Sequence, residues 1–182
     1  MGIATPADVL DFWFSEIKPA QWWSKDEALD SGIGKRFGAA HQAACAGELA
    51  PWREQPSGRL AEIIVLDQFS RNIYRDSGRA FACDGMALVL AQEALLGKAD
   101  VQVDVEQRAF FYMPYMHSES CVIHEIAVDL FTRPGAEHNH AFELRHKFII
   151  DRFGRYPHRN VLLGRSSSPE EIEFLNQPDS SF

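Results

Sequence analysis

Residues 60–75 read LAEIIVLDQFSRNIYR, and this stretch decides the fold class. On a helical wheel with about 100° per residue, its apolar side chains fall around almost the whole circumference. A helix that is apolar on every side lies inside the protein, packed against other elements. The stretch therefore predicts a central buried helix, which begins at Ser57 and Gly58.

The rest of the chain predicts further helices and no strands, because no segment alternates between apolar and polar residues over the length of a strand. Capping residues indicate helix starts at Thr5 with Pro6 and at Ser24 with Glu27. Gly47 is predicted to end the second helix, and the fourth is predicted to run from Arg79 to Gly97. The fifth helix is predicted to begin at Asp104, with a break at Pro114. Gly154 is predicted to end the seventh helix, and Ser168 to begin the last. The sequence predicts one all-α domain over residues 1–182, with seven to eight helices. Short links between the helices would allow antiparallel hairpins, but periodicity alone predicts only the all-α class.

Composition limits the partners and the compartment. The chain has 26 acidic and 18 basic residues, a formal charge of −8, which argues against nucleic acid and anionic membrane as partners. No apolar run approaches the roughly 20 residues of a membrane helix, and the N-terminus lacks a signal-peptide pattern. Cys45, Cys83 and Cys121 form no C-x-x-C pair, which favours reduced thiols. We expect a cytoplasmic protein.

Charged residues interrupt the apolar wheel of residues 60–75. Asp67, Arg71 and Arg75 lie four residues apart and share one stripe of the helix. A buried ion must be paired, because an unpaired one costs several kcal/mol. The stripe therefore predicts either an internal Asp67–Arg71 salt bridge that fixes helix packing, or an Arg71 guanidinium that Asp67 holds toward a ligand.

Two histidines lie on faces that are otherwise apolar. His146 is flanked on the wheel by Ile149 and Ile150, and His117 follows Met113 by four residues. A single histidine in such a place is typically a core residue bonded to a carbonyl. Two of them, with Glu119 two residues after His117, favour an acid–base cluster if the helices pack together.

Metal binding is an alternative for the same residues. Glu143 with His146, and Glu137 with His140, match the E-x-x-H spacing of di-iron helical bundles. Those sites draw their motifs from different helices, whereas both copies here lie on one helix or its entry. We therefore predict no metal ligands, with a mononuclear site from His117, Glu119 and His146 as the alternative, and we make no cofactor prediction.

A basic segment interrupts the acidic chain at residues 145–165. Six basic residues and one acidic residue give it a charge of +5, within a chain of −8. Gly154 would end the helix, and Pro157 would stiffen a loop that presents His158, Arg159 and Asn160. Arginine suits bidentate recognition of phosphate or carboxylate. The segment predicts either an anion-binding loop or a helix end compensated by cations and acidic neighbours.

Several segments together resemble an uncharacterised, largely bacterial family, domain of unknown function 924. They are DFWF (11–14), the GEL-PW turn (47–52), VLDQFSRNIYR (65–75), FYMPYMHSE (111–119) and RFGRYPHRNVLLGRSSSPEE (152–171). The resemblance spans nearly the whole chain and implies a right-handed, tetratricopeptide-like superhelical array of antiparallel helical hairpins. It implies no activity, and residues 120–131 depart from the family pattern. The family blocks contain Asp67, Gln68, Arg71, Asn72, His117, Ser118, Glu119, His146, Arg152, Arg155, His158, Arg159, Asn160 and Arg165.

These features predict a protein that binds a small anionic molecule carrying phosphate or carboxylate. The ligand-binding candidates are Asp67, Arg71, Arg155, Arg159 and Asn160, and the catalytic candidates are His117, Glu119, His146 and His158. If the protein is an enzyme, arginines would stabilise negative charge and a histidine would move a proton in hydrolysis or group transfer. Whether it is an enzyme stays open.

Two alternatives belong to other classes. A tetratricopeptide-like groove would bind an acidic peptide or a C-terminal carboxylate, with Trp22, Trp23 and Trp52 as anchors. In the second alternative the polar network only specifies helix packing. The sequence does not decide whether the chain forms a homo-oligomer.

Overall fold

Helices form the framework of the computed structural model, which describes residues 2–178, 180 and 181 and contains no strand among them. The α-helices are α1 (Pro6–Asp11), α2 (Glu27–Cys45), α3 (Pro56–Ile64), α4 (Ser70–Ile73), α5 (Asp84–Leu96), α6 (Ala109–Met116), α7 (Cys121–Leu130), α8 (His140–Phe153) and α9 (Pro169–Leu175). The all-α prediction is confirmed. The tetratricopeptide-like hairpin arrangement stays a prediction.

A π-helical turn, Val65–Phe69, joins α3 to α4, so that residues 56–73 form one continuous helical segment. With this segment counted as one helix, the described residues contain eight, within the predicted range. Two carbonyls of the turn accept side-chain hydrogen bonds: that of Leu66 from Ser70, and that of Asp67 from Arg71. A π turn widens the helix locally and is common at functional sites.

The core is built around α3 and α6. All eight residues of α6 are buried, and Leu60, Ile64 and Leu66 are 0% exposed. Helices α1, α5 and α6 pack against α3. Residues 60–73 therefore lie inside the protein, as their wheel predicts. No helix of the described residues is long and apolar enough to span a membrane.

Several predicted helix ends are confirmed by their caps. Thr5 accepts a hydrogen bond from the Asp8 backbone before Pro6, and Ser168 and Glu171 form a capping box at α9. Gly154 follows α8 with a φ of 67°, in the left-handed region that glycine adopts at low cost. Gly47, with a φ of 74°, closes α2 in the same way.

Other predicted boundaries are wrong. Asp26, not Ser24, caps α2, because its carboxylate accepts hydrogen bonds from the Ala28 and Leu29 backbones. The third helix begins at Pro56, before the predicted Ser57 and Gly58. Short 3₁₀ turns occupy the predicted starts at Arg79 and Asp104, so α5 and α6 begin later, at Asp84 and Ala109. Pro114 lies inside α6, two residues before its end.

Gly58 allows α3 to approach the preceding turn closely. A Cβ atom at this position would lie 2.0 Å from the Trp52 backbone oxygen. A backbone atom cannot move aside as a flexible side chain can, so an alanine here would push α3 away from the turn Ala50–Glu54.

We expect Gly58→Ala to lower the free energy of unfolding by about 1–3 kcal/mol, the usual cost of overpacking. Urea unfolding followed by circular dichroism measures the loss. Gly32→Ala is the matched control, because Gly32 lies in α2 with nothing within 4 Å of the added Cβ atom. This control should gain roughly 0.5–1 kcal/mol from its higher helix propensity. Equal stability of the two variants would contradict the steric explanation.

Candidate functional site

The Asp67 carboxylate is the centre of a buried polar network. Its side chain is 1% exposed, and its Oδ1 atom lies 2.7 Å from His117 Nδ1 and 3.2 Å from Arg71 Nη1. Its Oδ2 accepts a hydrogen bond from Gln68 Nε2 at 2.7 Å. Burial opposes ionisation, but the interactions with His117 and Arg71 and the hydrogen bonds outweigh it, and the pKa of Asp67 is lowered. Asp67 is therefore ionised at neutral pH.

His117 follows α6 and is oriented by Asp67. Burial, and next the charge of Arg71, lower the pKa of His117 despite the adjacent carboxylate, so the ring is neutral near pH 7. Its Nδ1–H donates to Asp67, and Nε2 has no hydrogen-bond partner among the described residues. The side chain keeps 13% exposure. A neutral histidine that a carboxylate orients in this way presents the Nε2 lone pair as a general base.

Asp84, the first residue of α5, joins two arginines to this network. Arg71 binds it bidentately, with Nη1 to Oδ1 at 2.9 Å and Nη2 to Oδ2 at 3.0 Å. Arg159 Nη1 donates to the same Oδ2 at 3.1 Å. Two carboxylates, from Asp67 and Asp84, thus balance the two guanidinium charges. Both interpretations of Arg71 agree with its Asp67 contact, and Asp84 is a partner that sequence reasoning missed.

Arg159 lies between two aromatic rings. The side chain is 7% exposed, and its guanidinium carbon is 4.5 Å from the ring centres of Phe81 and Tyr156. Its Nη1 binds Asp84, whereas Nε is buried and has no acceptor in the part of the chain that the structure describes. Burial, and next Arg71, lower the pKa of Arg159 from its ordinary value of 12.5.

The Nε and Nη2 edge of a guanidinium can bind a carboxylate through two parallel hydrogen bonds. Three other arginines of this protein use that edge in this way: Arg53 with Glu62, Arg75 with Asp30 and Arg155 with Glu171. In Arg159 neither atom of the edge is bonded to a described residue. Arg159 therefore keeps a carboxylate- or phosphate-binding edge that no internal acid occupies.

A second histidine–carboxylate pair positions Tyr156. His124 and Glu143 are both 0% exposed, and their Nδ1 and Oε1 atoms lie 2.6 Å apart. His124 Nε2 lies 2.9 Å from the Ser118 carbonyl and 3.2 Å from the Tyr156 hydroxyl, which donates to the Met116 carbonyl. Burial raises the pKa of Glu143. Neither His124 nor the role of Glu143 follows from the sequence patterns, because the partners are far apart in the chain.

His146 and His158 lie around the same tyrosine. The ring centre of Tyr156 is 5.7 Å from that of His146 and 5.5 Å from that of His158. His146 Nδ1 donates to the Phe142 carbonyl, which is the core arrangement expected of a single buried histidine. Burial lowers the pKa of His146 to about 3 and that of His158 to about 4, with Arg159 contributing to both. The structure thus gathers His117, His146, His158 and Arg159, while their predicted chemical roles stay predictions.

The remaining predicted residues hold the loop after α8. Glu119 accepts a hydrogen bond from the Tyr156 backbone at 2.8 Å and binds Arg165 bidentately at 2.6 and 2.9 Å. Asn160 accepts from Arg165 Nε, and Arg155 binds Glu171 near the start of α9. Their contacts are internal, and their predicted roles in catalysis and ligand binding are untested by this geometry.

Two further predictions concern the alternative metal site and the tryptophan anchors. In the part of the chain that the structure describes, His117, Glu119 and His146 do not form a group of metal-ligand atoms within 4.8 Å of one another. Trp22 and Trp52 pack against the core, whereas Trp23 is 57% exposed. The acidic-peptide alternative stays a prediction.

Two surface cavities lie away from the network. One of about 420 Å³ lies beside α5 and is lined by Leu96, Tyr115 and Arg133 among others. Another of about 410 Å³ lies beside α8 and is lined by Leu144, Phe148 and neighbours. Neither is lined by His117 or Arg159. Because Arg159 is almost fully enclosed, a ligand at its unused edge must be small or must bind as the surrounding loops move.

Comparison with known proteins identifies relatives without an assigned activity. The model of a family described as bacterial protein of unknown function, DUF924, matches residues 9–179. A solved structure of a protein of unknown function from Agrobacterium tumefaciens is 38% identical, with a TM-score of 0.89 over 94% of this chain and 96% of that chain. No curated protein matches the chain.

The lowered pKa of His146 predicts a loss of stability at mildly acidic pH. The pKa of a histidine in an unfolded chain is about 6.5, whereas burial lowers the pKa of folded His146 to about 3. Between the two pKa values the unfolded state binds a proton that the folded state does not bind. The free energy of unfolding therefore falls as the pH falls. From pH 6 to pH 5, His146 should contribute a loss of roughly 1 kcal/mol, measured by urea unfolding.

The substitution His146→Gln should make this dependence shallower by the same amount. His138→Gln is the matched control, because His138 is exposed, and it should keep the wild-type slope. If the pH dependence of stability is the same in His146→Gln as in the wild type, folding does not lower the pKa of His146.

Proposed function

The chain belongs to the bacterial DUF924 family, as its sequence blocks predict, and we propose that it binds a small phosphate- or carboxylate-bearing molecule at Arg159 and transforms it by hydrolysis or group transfer. The observation that carries this proposal is the unused Nε and Nη2 edge of a buried guanidinium. The Asp67–His117 pair in the same network supplies the general base for the reaction.

The surroundings of Arg159 favour recognition of an oxyanion. Phe81 and Tyr156 hold the guanidinium plane on two sides, and Asp84 fixes its Nη1 atom, so little side-chain freedom remains to be lost on binding. The low exposure strengthens each charge-assisted hydrogen bond relative to one in water. A planar, two-oxygen acceptor fits this edge better than a single point charge does.

Charge balance couples the ligand to His117. Arg71 and Arg159 are balanced by Asp67 and Asp84, so the network carries no net charge while His117 is neutral. An incoming anion makes the network negative, which favours the protonated imidazole. The same site therefore stabilises an oxyanion and an imidazolium together, the charge pair that general-base catalysis creates.

The reaction that fits this arrangement is attack by water or a hydroxyl group. His117 Nε2 takes the proton of the attacking O–H as its oxygen bonds to the carbonyl carbon or phosphorus atom of the ligand. Asp67 stabilises the imidazolium, and Arg159 stabilises the charge that develops on the ligand oxygen. The proton then passes from His117 to the leaving group as its bond breaks, which restores the neutral ring.

We expect inorganic phosphate, acetate or a phosphate monoester to raise the melting temperature of the wild-type protein. A ligand at 100 times its Kd adds about 2.7 kcal/mol of stability, which a thermal-shift assay detects easily. Arg159→Lys keeps the charge but removes the two-pronged edge, and it should abolish the shift. Arg152→Lys is the control, because Arg152 is exposed and stacks on Phe153. No anion-dependent shift in wild type, or an equal one in Arg159→Lys, would overturn the binding proposal.

We expect His117→Gln to separate catalysis from binding. Release of 4-nitrophenol from its phosphate and acetate esters measures turnover, and loss of a general base should slow it roughly 10²–10⁴-fold. The anion-dependent thermal shift should persist, because Arg159 is unchanged. His138→Gln should retain full activity. An anion-dependent shift without turnover of either ester in wild type would leave a binding protein and refute the catalytic part.

A further inference from the structure

A second cluster of ligand-type side chains surrounds Cys45, the last residue of α2. Its Sγ atom lies 2.9 Å from Cys83 Sγ and 3.7 Å from His41 Nδ1. The ligand atoms of these three residues all lie within 4.8 Å of one another, the one such group of three found among the described residues. His41 and Cys83 are buried, whereas Cys121, the third cysteine, is exposed and apart from the cluster.

Secondary structure presets two of the three donors. His41 and Cys45 are four residues apart on α2, so they share one face of a 19-residue helix. Cys83 caps α5 and approaches from the other side. Sites built on regular elements hold their donors more rigidly than sites on loops.

The neighbouring Ser70 fixes the tautomer of His41. The Ser70 hydroxyl donates to the Leu66 carbonyl at 2.6 Å, so it must accept a hydrogen bond from His41 Nε2, which lies 2.8 Å away. In the neutral ring the lone pair is then on Nδ1, which lies 3.7 Å from Cys45 Sγ, and the Nε2 atom lies 3.8 Å from the same sulfur. Proteins orient histidine ligands toward metals by a hydrogen bond of this kind to the other ring nitrogen.

We propose that His41, Cys45 and Cys83 bind one Zn²⁺ ion through Nδ1 and two thiolates, with a fourth position for water or another ligand. Thiolate and imidazole donors suit a soft or borderline ion rather than Mg²⁺ or Ca²⁺. Two thiolates neutralise the charge of Zn²⁺, which a buried site requires, whereas the same donors would leave Cu⁺ with a negative charge.

The observed distances are close to those of a tetrahedral site. Zn–S bonds of about 2.3 Å and Zn–N bonds of about 2.0–2.1 Å place sulfur and nitrogen about 3.6 Å apart and two sulfurs about 3.8 Å apart. The distance of 3.7 Å between His41 Nδ1 and Cys45 Sγ is close to this value. Because His41 Nε2 lies 3.8 Å from the same sulfur, the ring must also turn for its Nδ1 lone pair to face the ion. The sulfurs of Cys45 and Cys83, at 2.9 Å, must separate by about 1 Å, which small rotations of the two thiol groups supply.

The test is a Zn²⁺ titration of the full chain, reduced and freed of metal with a chelator, in competition with a chromophoric zinc indicator. We expect one Zn²⁺ per chain, lost in Cys45→Ser and in Cys83→Ser and kept in the matched control Cys121→Ser. Ser70→Ala should weaken binding about 10–100-fold, the usual effect of removing the hydrogen-bond partner of a metal-binding histidine. Co²⁺ added to wild-type protein should give the thiolate-to-metal charge-transfer absorption of two sulfur ligands, which keeps the test independent of variants that fail to fold.

The proposal is overturned if the reduced protein takes up no stoichiometric Zn²⁺, or if the Co²⁺ spectrum lacks the thiolate band. Zinc that survives both Cys45→Ser and Cys83→Ser would also overturn it. Formation of a Cys45–Cys83 disulfide by a mild disulfide oxidant, with no metal uptake by the reduced form, would replace it with a redox pair.

Discussion

The buried charge of Asp67 is the constraint on which the rest of the structure depends. A carboxylate that is 1% exposed would cost several kcal/mol if it were unpaired. Its partners come from its own helical segment, through Arg71, and from the residue after α6, His117. Arg71 then holds Asp84 of α5, and Asp84 holds Arg159 of the loop after α8. Satisfying one ion therefore fixes the relative positions of four segments that are distant in sequence.

The same pairing explains why the basic segment is not an open cationic surface. Arg155 is bound by Glu171, Arg165 by Glu119, and Arg159 by Asp84. The proposed ligand would consequently not be attracted by an excess of positive charge, and what distinguishes Arg159 is geometry. The Nε and Nη2 edge of Arg155 binds Glu171. Arg159 is held by its Nη1 atom and two rings, and its Nε and Nη2 edge binds no described residue. Recognition at such a site depends on shape and on the coupled protonation of His117 more than on long-range attraction.

Periodicity and spacing predict what lies within one helix, and they fail where partners are distant in the chain. The wheel of residues 60–75 predicts a buried helix and the Asp67–Arg71 pair, because those partners are one turn apart. Asp84 is 75 residues from Arg159, so no local pattern could join them. Ser24 and Asp26 are both residue types that cap helices, but Ser24 ends the preceding 3₁₀ turn and its hydroxyl donates to the Gln21 carbonyl, so Asp26 caps α2. The four-residue spacing of His41 and Cys45 can be read from the sequence, whereas the proximity of Cys83 to them cannot.

The π-helical turn Val65–Phe69 links the two proposed sites through one local departure from the α-helix. Arg71 bonds to the carbonyl of Asp67 and Ser70 bonds to the carbonyl of Leu66, so both side chains are held by the turn itself. The first contact places a guanidinium in the Asp67 network, and the second sets the tautomer of His41. Straightening the turn into a regular helix would move both side chains relative to their partners. A widened turn persists in a buried segment only when other contacts stabilise it, and here those contacts are the candidate ligand-binding groups.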